Sequence, residues 1–245
     1  VQSIIALLRA LLVKRGLSSP QALVKTFGKL IEKRGKLIEL LDRGYTLKEA
    51  QEKIAEELEK YSRKLDELLT GDIGEYEEEL DEKFDKLVSY FDAFLDEEFK
   101  GKLNIAVEYA KRILSGKVVD SKLETLKKIL NLVLRVSPEE LPEEFKDLAS
   151  GKVIVFTEFK DTAYYLYEKL KRWAEEKFGD ADIVRIFTSD NRGDIEEIKN
   201  WLAEKDKRVL VTTDVAGEGL NLQCANVLVN YEIAWSPVRL EQRIG

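Results

Sequence analysis

The chain changes its hydrophobic rhythm near residue 116. Before that point apolar residues recur every three or four positions, the period of one face of a helix. LLRALLVKRGL predicts a first helix ending at Gly16. Ser18-Ser19-Pro20 then offers a capping hydroxyl and a proline suited to a first helical position, so a second helix should start there. Arg43-Gly44-Tyr45 reads as a break, and Thr46-Leu47-Lys48-Glu49 as a capping box opening a long charged helix to about Leu69. A turn at Thr70-Gly71-Asp72-Ile73-Gly74 leads to a fourth helix over 75–99, with Phe84, Leu87, Val88, Phe91 and Leu95 on one stripe. A fifth is expected over about 102–115. The third and fourth, joined by a short loop, most simply make an antiparallel hairpin.

After Gly116, short apolar runs alternate with amphipathic stretches. Ser121-Lys122-Leu123-Glu124 reads as a capping box for a helix to about Leu134, and Ser137-Pro138-Glu139-Glu140 as the cap of a short helical turn. Strands are predicted at Lys152–Thr157, Ile183–Phe187, Val209–Thr213 and Asn226–Tyr231, with helices at Asp161–Lys177 and Asp194–Glu204 and another from Pro237. Strand runs that are apolar throughout, separated by helices, imply an α/β fold: a parallel sheet covered on both faces. An all-α part therefore precedes an α/β part, and no period of 20–50 residues repeats.

Charge adds one asymmetry. The net charge is −7, yet residues 1–36 hold eight Lys and Arg against one Glu, whereas residues 37–100 hold 21 acids and 9 bases. A basic face beside an acidic arm suits a polyanion groove, and two solvated helical faces explain it as simply. Charged residues reach 36% against about 25% in an average globular protein, the excess being Glu and Lys, a leaning seen in hyperthermophile proteins. One cysteine, Cys224, excludes an internal disulfide and suits a reducing, cytoplasmic setting. With no His as well, the usual Cys and His ligands of a zinc site are not at hand, and none is expected. No apolar stretch approaches the ~20 residues of a membrane span. A Val at position 1 and a chain without Met lead us to expect a piece of a longer protein.

Candidate chemistry gathers at the strand ends, where open parallel sheets place functional loops. The clusters are Thr157-Glu158-Phe159-Lys160, Thr188-Ser189-Asp190-Asn191 and Thr213-Asp214-Val215-Ala216-Gly217-Glu218-Gly219, with Trp235-Ser236-Pro237 before the last helix. All should project to one edge. Hydroxyls, backbone N–H groups and helix N-termini suit phosphate contacts, although helix capping accounts for any single cluster. The paired glycines Gly217 and Gly219 go beyond capping, because they permit close backbone approach. Trp173, Trp201, Tyr164, Tyr165 and Tyr167 read as helix–sheet core, and Cys224 as a small buried residue.

KVIVFTEFKDTAYYLYEKL, RVLVTTDVAGEGLNLQ and NVLVNYEIAWSPVRLEQRIG resemble motifs IV, V and VI of superfamily 2 helicases and translocases, in order, over roughly 117–245. SKLETLKKIL is similar to the helix before motif IV in Swi/Snf-type ATPases. TDVAGEGLNLQ with WSPVRLEQRIG resembles the branch of the bacterial RNA-polymerase-recycling ATPase and its archaeal relatives. The helical stretch LLRALLVKRGLSSPQALVKTF is similar to what these proteins place between motifs III and IV.

The resemblance implies a second RecA-like domain over 117–245, truncated within motif VI, behind a helical subdomain over 1–116. It implies that Thr213 touches the nucleic-acid backbone, with Asp214, Thr157, Thr188 and Ser189 on the same edge. Gly217, Glu218 and Gly219 would couple that contact to the nucleotide, with Asn221 near the ribose and Gln242 and Arg243 opening motif VI. No GxxxxGK[ST] loop and no Asp-Glu magnesium pair occurs. ATP and Mg²⁺ would therefore be bound mainly by a first RecA-like domain missing here, and this piece alone should hydrolyse nothing. Double-stranded DNA is the expected track by family analogy, with Lys14 and Arg15 of the basic helices contributing to its groove. The rival reading is a docking module whose helical hairpin holds a protein partner such as RNA polymerase or a nuclease subunit. A small-molecule domain of flavodoxin or Rossmann type is disfavoured, because no G-x-G-x-x-G follows the first strand.

Overall fold

The structure is a computed structural model describing residues 2–32, 35–56, 97–135, 143, 151–204, 208–214, 225, 227–232, 240–241 and 243. It divides into two compact units, Val1–Val118 and Val119–Gly245.

Unit 1 is helical where described. Helix α1 (Gln2–Ser18) is followed by α2 (Pro20–Glu32), α3 (Gly35–Asp42), a helical stretch over residues 47–56, and α4 (Glu97–Leu114). The first helix passes through Gly16 instead of ending there. A side chain at Gly16 would meet Leu23 at 3.4 Å, so the glycine is used for close packing of α2 and not as a stop. The cap is Ser19, whose Oγ accepts from Ala22 N at 3.1 Å, and Pro20 opens the helix as its missing N–H and fixed φ favour. Gly44 has φ +89, a left-handed value that ends the helical run where expected. The Thr46–Glu49 capping box forms: Glu49 Oε2 accepts from Thr46 N at 2.8 Å, and Thr46 Oγ1 accepts from Glu49 N at 3.4 Å.

A break was expected between residues 99 and 102, but α4 runs unbroken through Gly101. Lys100–Glu97 at 3.1 Å and Lys102–Glu98 at 2.6 Å bridge neighbouring turns there, and such pairs support a helix by tenths of a kcal/mol. Leu103, Val107 and Ala110 of α4 are buried, and α2 packs against both α1 and α4. The hairpin expected over 47–99 lies mostly outside the described residues, as does the Ser137–Glu140 turn.

Unit 2 is built on a four-stranded parallel sheet. Its strands are β1 (Lys152–Phe156), β2 (Val184–Phe187), β3 (Arg208–Thr212) and β4 (Val227–Asn230), in the order β2-β3-β1-β4. Helices α5 (Ser121–Arg135), α6 (Lys160–Phe178) and α7 (Ile195–Ala203) surround it. Strand residues alternate between faces. Ile154, Phe156 and Leu210 join Phe187, Ile198, Trp201 and Leu202 in one buried cluster under α7. Val153, Val155, Val209 and Val211 are left for the opposite face, where α5 contacts β1 and α6 contacts β2 and β3. This two-sided burial is why the strands are apolar throughout. On α5 the stripe Leu123, Leu126, Leu130 and Leu134 is buried; truncating one such leucine to alanine costs about 2–5 kcal/mol. Helix α6 stops at Gly179, φ +70, whose N–H donates to the Glu175 carbonyl.

Two local readings are corrected. Helix α5 begins at Ser121, but its cap is Asp120, whose Oδ1 accepts from Leu123 N at 3.0 Å. Ser121 already lies inside the first turn, and Glu124 pairs with Lys127 at 2.8 Å instead of reaching back. Among the aromatics, Tyr165 and Trp201 are buried as expected, but Tyr164 is 39% exposed. Adjacent helical residues point about 100° apart, so Tyr164 and Tyr165 cannot both face the sheet. Among the described residues no helix is long and apolar enough to cross a membrane.

Candidate functional site at the carboxyl ends of the strands

Four strand ends converge through side-chain bonds. After β1, the Thr157 hydroxyl donates to Glu232 Oε1 at 2.8 Å, and Glu158 N donates to Glu232 Oε2 at 3.3 Å. Glu232 lies just past β4, so one carboxylate ties the two loops together. From the same β1 loop, Lys160 reaches Asp190 at 2.9 Å in the loop after β2, and Tyr164 donates to that carboxylate at 3.0 Å. Beyond β3, Asp214 Oδ1 accepts from Arg243 Nε at 2.5 Å. The expectation of one shared edge is met by contacts for the clusters after β1, β2 and β3, while Trp235-Ser236-Pro237 lies outside the described residues.

The interior of that edge is charged. Arg243 is 4% exposed, with Nη1 on Asn230 Oδ1 at 2.6 Å and its guanidinium 5.0 Å from the Phe156 ring centre. Burying a cation demands a close anion and further hydrogen bonds. Asp214, Asn230 and the ring face supply them, from β3, β4 and β1 respectively. Arg243 Nη2 is nonetheless buried without a hydrogen-bond partner. So is the hydroxyl of Thr213, the residue before Asp214, which is fully buried.

A second cluster joins α5 to the sheet. Asp120 Oδ2 accepts from the Tyr165 hydroxyl at 2.8 Å while its other oxygen caps the helix. Lys122 Nζ sits 3.9 Å from the Tyr231 ring centre. Burial pushes the Lys122 ammonium below its ordinary pKa, against the pull of Glu232 and Asp120. Burial likewise pushes the Tyr165 hydroxyl up, helped by the hydrogen bond to Asp120. The Asp190 carboxyl is held below its ordinary value by the hydrogen bond from Lys160, with burial opposing and Tyr164 assisting.

The candidate residues divide accordingly. Thr157 and Thr188 are fully buried, and both hydroxyls are used internally. Thr188 Oγ1 accepts from Asp190 N at 3.3 Å, and Asn191 Oδ1 accepts from Thr188 N at 2.8 Å, so at this cluster the capping alternative is the one the chain adopts. Ser189 is half-buried beside them. Asp214 faces Arg243. In unit 1, Arg15 is 3% exposed, with Nη1 donating to Thr26 Oγ1 at 3.3 Å. A guanidinium enclosed between α1 and α2 offers no surface for a polymer, so Arg15 is a correction to the basic-face reading. Lys14 is half-buried and Lys25 exposed. Gly217, Glu218, Gly219, Asn221 and Gln242 lie outside the described residues, as do Cys224 and Trp235.

Sequence reasoning passed over Glu232, Asn230 and Phe156. Glu232 had a legible signal, a carboxylate immediately after a predicted strand. Asn230 and Phe156 had none, because only the strand order sets them beside Arg243. Among the described residues no group of three His, Cys, Asp or Glu side chains could hold a metal ion.

An arginine from the last helical segment, buried on an aspartate that follows the third strand, joins the two segments that resemble motifs V and VI. The description "Helicase conserved C-terminal domain" matches residues 121–245. The chain belongs to that family.

The helicase C-terminal domain thus spans unit 2 almost entirely, and the resemblance read from the three motifs holds at that level. Residues of the chain are 32% identical over 129 positions to the uncharacterized ATP-dependent helicase YqhH of Bacillus subtilis, covering 50% of this chain and 21% of that protein. They are 31% identical over 114 positions to the ATP-dependent DNA helicase mph1 of Neurospora crassa, covering 44% and 10%. The matched segment is thus 21% of the first relative's length and 10% of the second's. Proteins named DNA helicases and proteins named RNA helicases both match. The crystal structure of the Pyrococcus furiosus Hef helicase domain aligns at 21% identity and a TM-score of 0.38, covering 90% of this chain and 49% of that one.

Proposed function

We propose that this chain is the C-terminal half of an ATP-dependent helicase or translocase motor, in which unit 2 is the second RecA-like domain. ATP and Mg²⁺ are bound mainly by a first RecA-like domain carrying the phosphate loop, which this sequence lacks. When bound, ATP supplies the phosphoryl-transfer step. Residues of this chain supply the moving half of a two-state interface that closes on the nucleotide and regrips the polymer.

The observation that carries this reading is the buried Thr213 hydroxyl without a hydrogen-bond partner, next to the Asp214–Arg243 pair. Native structures pair nearly all buried polar groups, and leaving one unpaired costs about 1–3 kcal/mol. The hydroxyls of Thr157, Thr188 and Thr212 are bonded, whereas that of Thr213 shares its unpaired state with those of Ser189 and Tyr231. We infer that Thr213 is held ready for a phosphate of the polymer backbone. Asp214 and Arg243 then act as the brace between the polymer side and the nucleotide side. Double-stranded DNA is the track we favour, on the Swi/Snf-type wording of motifs V and VI.

The test is steady-state ATP hydrolysis by the complete protein, with and without double-stranded DNA or RNA, beside a Thr213→Ala, Gly219→Ala double variant. Stimulation by duplex DNA that the variant loses, with ATP binding kept, supports the coupling role. Hydrolysis indifferent to any nucleic acid would refute the motor reading, and stimulation by RNA alone would reassign the track.

A further inference from the structure

The outer edge of β2 is half plugged and half open. Thr157 N–H bonds Thr212 C=O, and Arg208 N–H bonds Gly151 C=O, so even-numbered residues of β3 face β1. The odd ones therefore face β2, in the register Val184↔Val209 to Phe187↔Thr212. In a parallel pair, residues pointing their backbone at the partner alternate with residues pointing it away. Arg185 and Phe187 bond toward β3, and the Thr212 hydroxyl adds a bond to the Phe187 carbonyl at 2.8 Å. Val184, Ile186 and Thr188 thus turn their backbone groups outward, away from the sheet.

At the upper rung the chain supplies its own substitute for a neighbouring strand. Asn191 Nδ2 donates to Ile186 C=O at 3.0 Å, and Asn191 Oδ1 accepts from Thr188 N–H at 2.8 Å. One carboxamide therefore makes the two bonds that a residue of an added parallel strand would make opposite Phe187. One rung lower, Val184 C=O and Ile186 N–H form the same acceptor–donor pair opposite Arg185, and no described side chain fills it. The Val184 N–H is already used on the Ala181 carbonyl, so the open pair is a single rung.

A cleft of about 260 Å³ runs beside that rung. Its lining includes Tyr167 and Lys171 of α6 together with Asp182, Arg185, Asp194 and Glu197. Arg185 is engaged by Glu197 at 2.6 Å, and Lys171 donates to the Tyr167 hydroxyl at 3.2 Å. The Lys171 ammonium is also drawn to Asp182, and among the described residues no side-chain hydrogen bond engages Asp194, so Asp194 is the carboxylate left over and the net charge of the cleft is negative.

We propose that this edge captures a short extended segment of a partner protein carrying a Lys or Arg. Its backbone adds one rung of parallel ladder at Val184 and Ile186, and its cation lies against Asp194 on the negative side of the cleft. Main-chain bonds supply the affinity of such strand addition, and flanking side chains supply the selection. The occupant's backbone chemistry follows from the rung above, where a peptide-like amide of this chain is already seated. The inference does not depend on the motor reading, since the edge lies on the sheet's flank.

The test is amide-resolved NMR of the 245-residue chain titrated with the capped peptide Ac-Val-Lys-Val-Lys-NH2. Three controls accompany it: the Glu-for-Lys peptide, the Lys peptide N-methylated at its second Val, and a chain carrying Asp182→Asn and Asp194→Asn. The expected result is a saturable shift of the Ile186 amide, lost with the N-methylated peptide. Binding should weaken about two- to fivefold with either charge change, the scale of exposed ion pairs. An Ile186 amide that does not move overturns the proposal. So does equal binding of the N-methylated or Glu peptide, or sedimentation showing that a second copy of the chain already occupies the edge.

Discussion

Removing Asp214 should destabilise unit 2 more than removing the arginine it holds. The side chain of Arg243 is 3% exposed and that of Asp214 20% exposed. Asp214→Ala leaves a guanidinium sealed in, and breaking a buried pair from one side costs about 3–5 kcal/mol. Asn230 still takes one N–H at 2.6 Å and the Phe156 ring still lies beneath, so the low end, about 3 kcal/mol, is expected. Arg243→Met keeps most of the packing and removes the buried cation. The more exposed Asp214 then regains water, and the cost should be nearer ~1 kcal/mol.

The double variant should be more stable than Asp214→Ala alone, because the stranded charge is gone. The two changes therefore couple with a non-additive energy of about 1–3 kcal/mol. Urea denaturation followed by tryptophan fluorescence measures this directly. All three tryptophans, Trp173, Trp201 and Trp235, fall within unit 2, so the signal reports that unit. At roughly 2–4 °C per kcal/mol for a chain of this size, Asp214→Ala should also lower the Tm by about 6–12 °C. Equal costs for the two single variants, or strict additivity in the double, would refute the idea that a buried cation is being neutralised.

Asp120→Ala should cost about 2–3 kcal/mol in the same denaturation assay, because it removes the cap of α5 and strands the buried Tyr165 hydroxyl; Tyr165→Phe in that background should restore part of the loss. The Asp190 carboxyl is depressed below its ordinary 3.8, so its contribution is fully present above that value and fades as pH falls through the lowered one. The stability gap between the parent and Asp190→Asn should therefore be constant from pH 7 to 5 and close below pH 4; a gap that widens in acid would contradict the assignment. Asn191→Ala opens the upper rung of β2, and light scattering on warming should show earlier aggregation than in the parent. In the complete protein, Lys14→Glu with Lys25→Glu should flatten the log–log salt dependence of duplex binding by about one unit per lost phosphate contact; an unchanged slope would remove the basic helices from the groove.

The periodicity of the chain fixed what depends on neighbours in sequence. The Ser19 cap with Pro20, the Gly44 break, the Thr46–Glu49 capping box and four parallel strands were all legible, because turns, caps and two-sided burial are set by a few adjacent residues. The motif wording carried the family as well. Local signals misled where two residues compete for one local role. Asp120 and Ser121 can both cap α5, and the one placed to bond Tyr165 as well does so. Gly16 read as a stop and a break was expected between residues 99 and 102, yet Gly16 and Gly101 both sit inside helices, one admitting Leu23 and the other bracketed by ion pairs.

What only the tertiary structure decided is which polar groups meet. Arg15 looked like a surface cation until α2 folded over it. Thr157 read as a phosphate contact until Glu232 was brought to it, whereas Thr188 is met by its own neighbours Asp190 and Asn191. The partners in these networks lie as far as 75 positions apart, as Thr157 and Glu232 do. No period or propensity links such residues; the strand order β2-β3-β1-β4 does, by setting the ends of β1, β3 and β4 side by side.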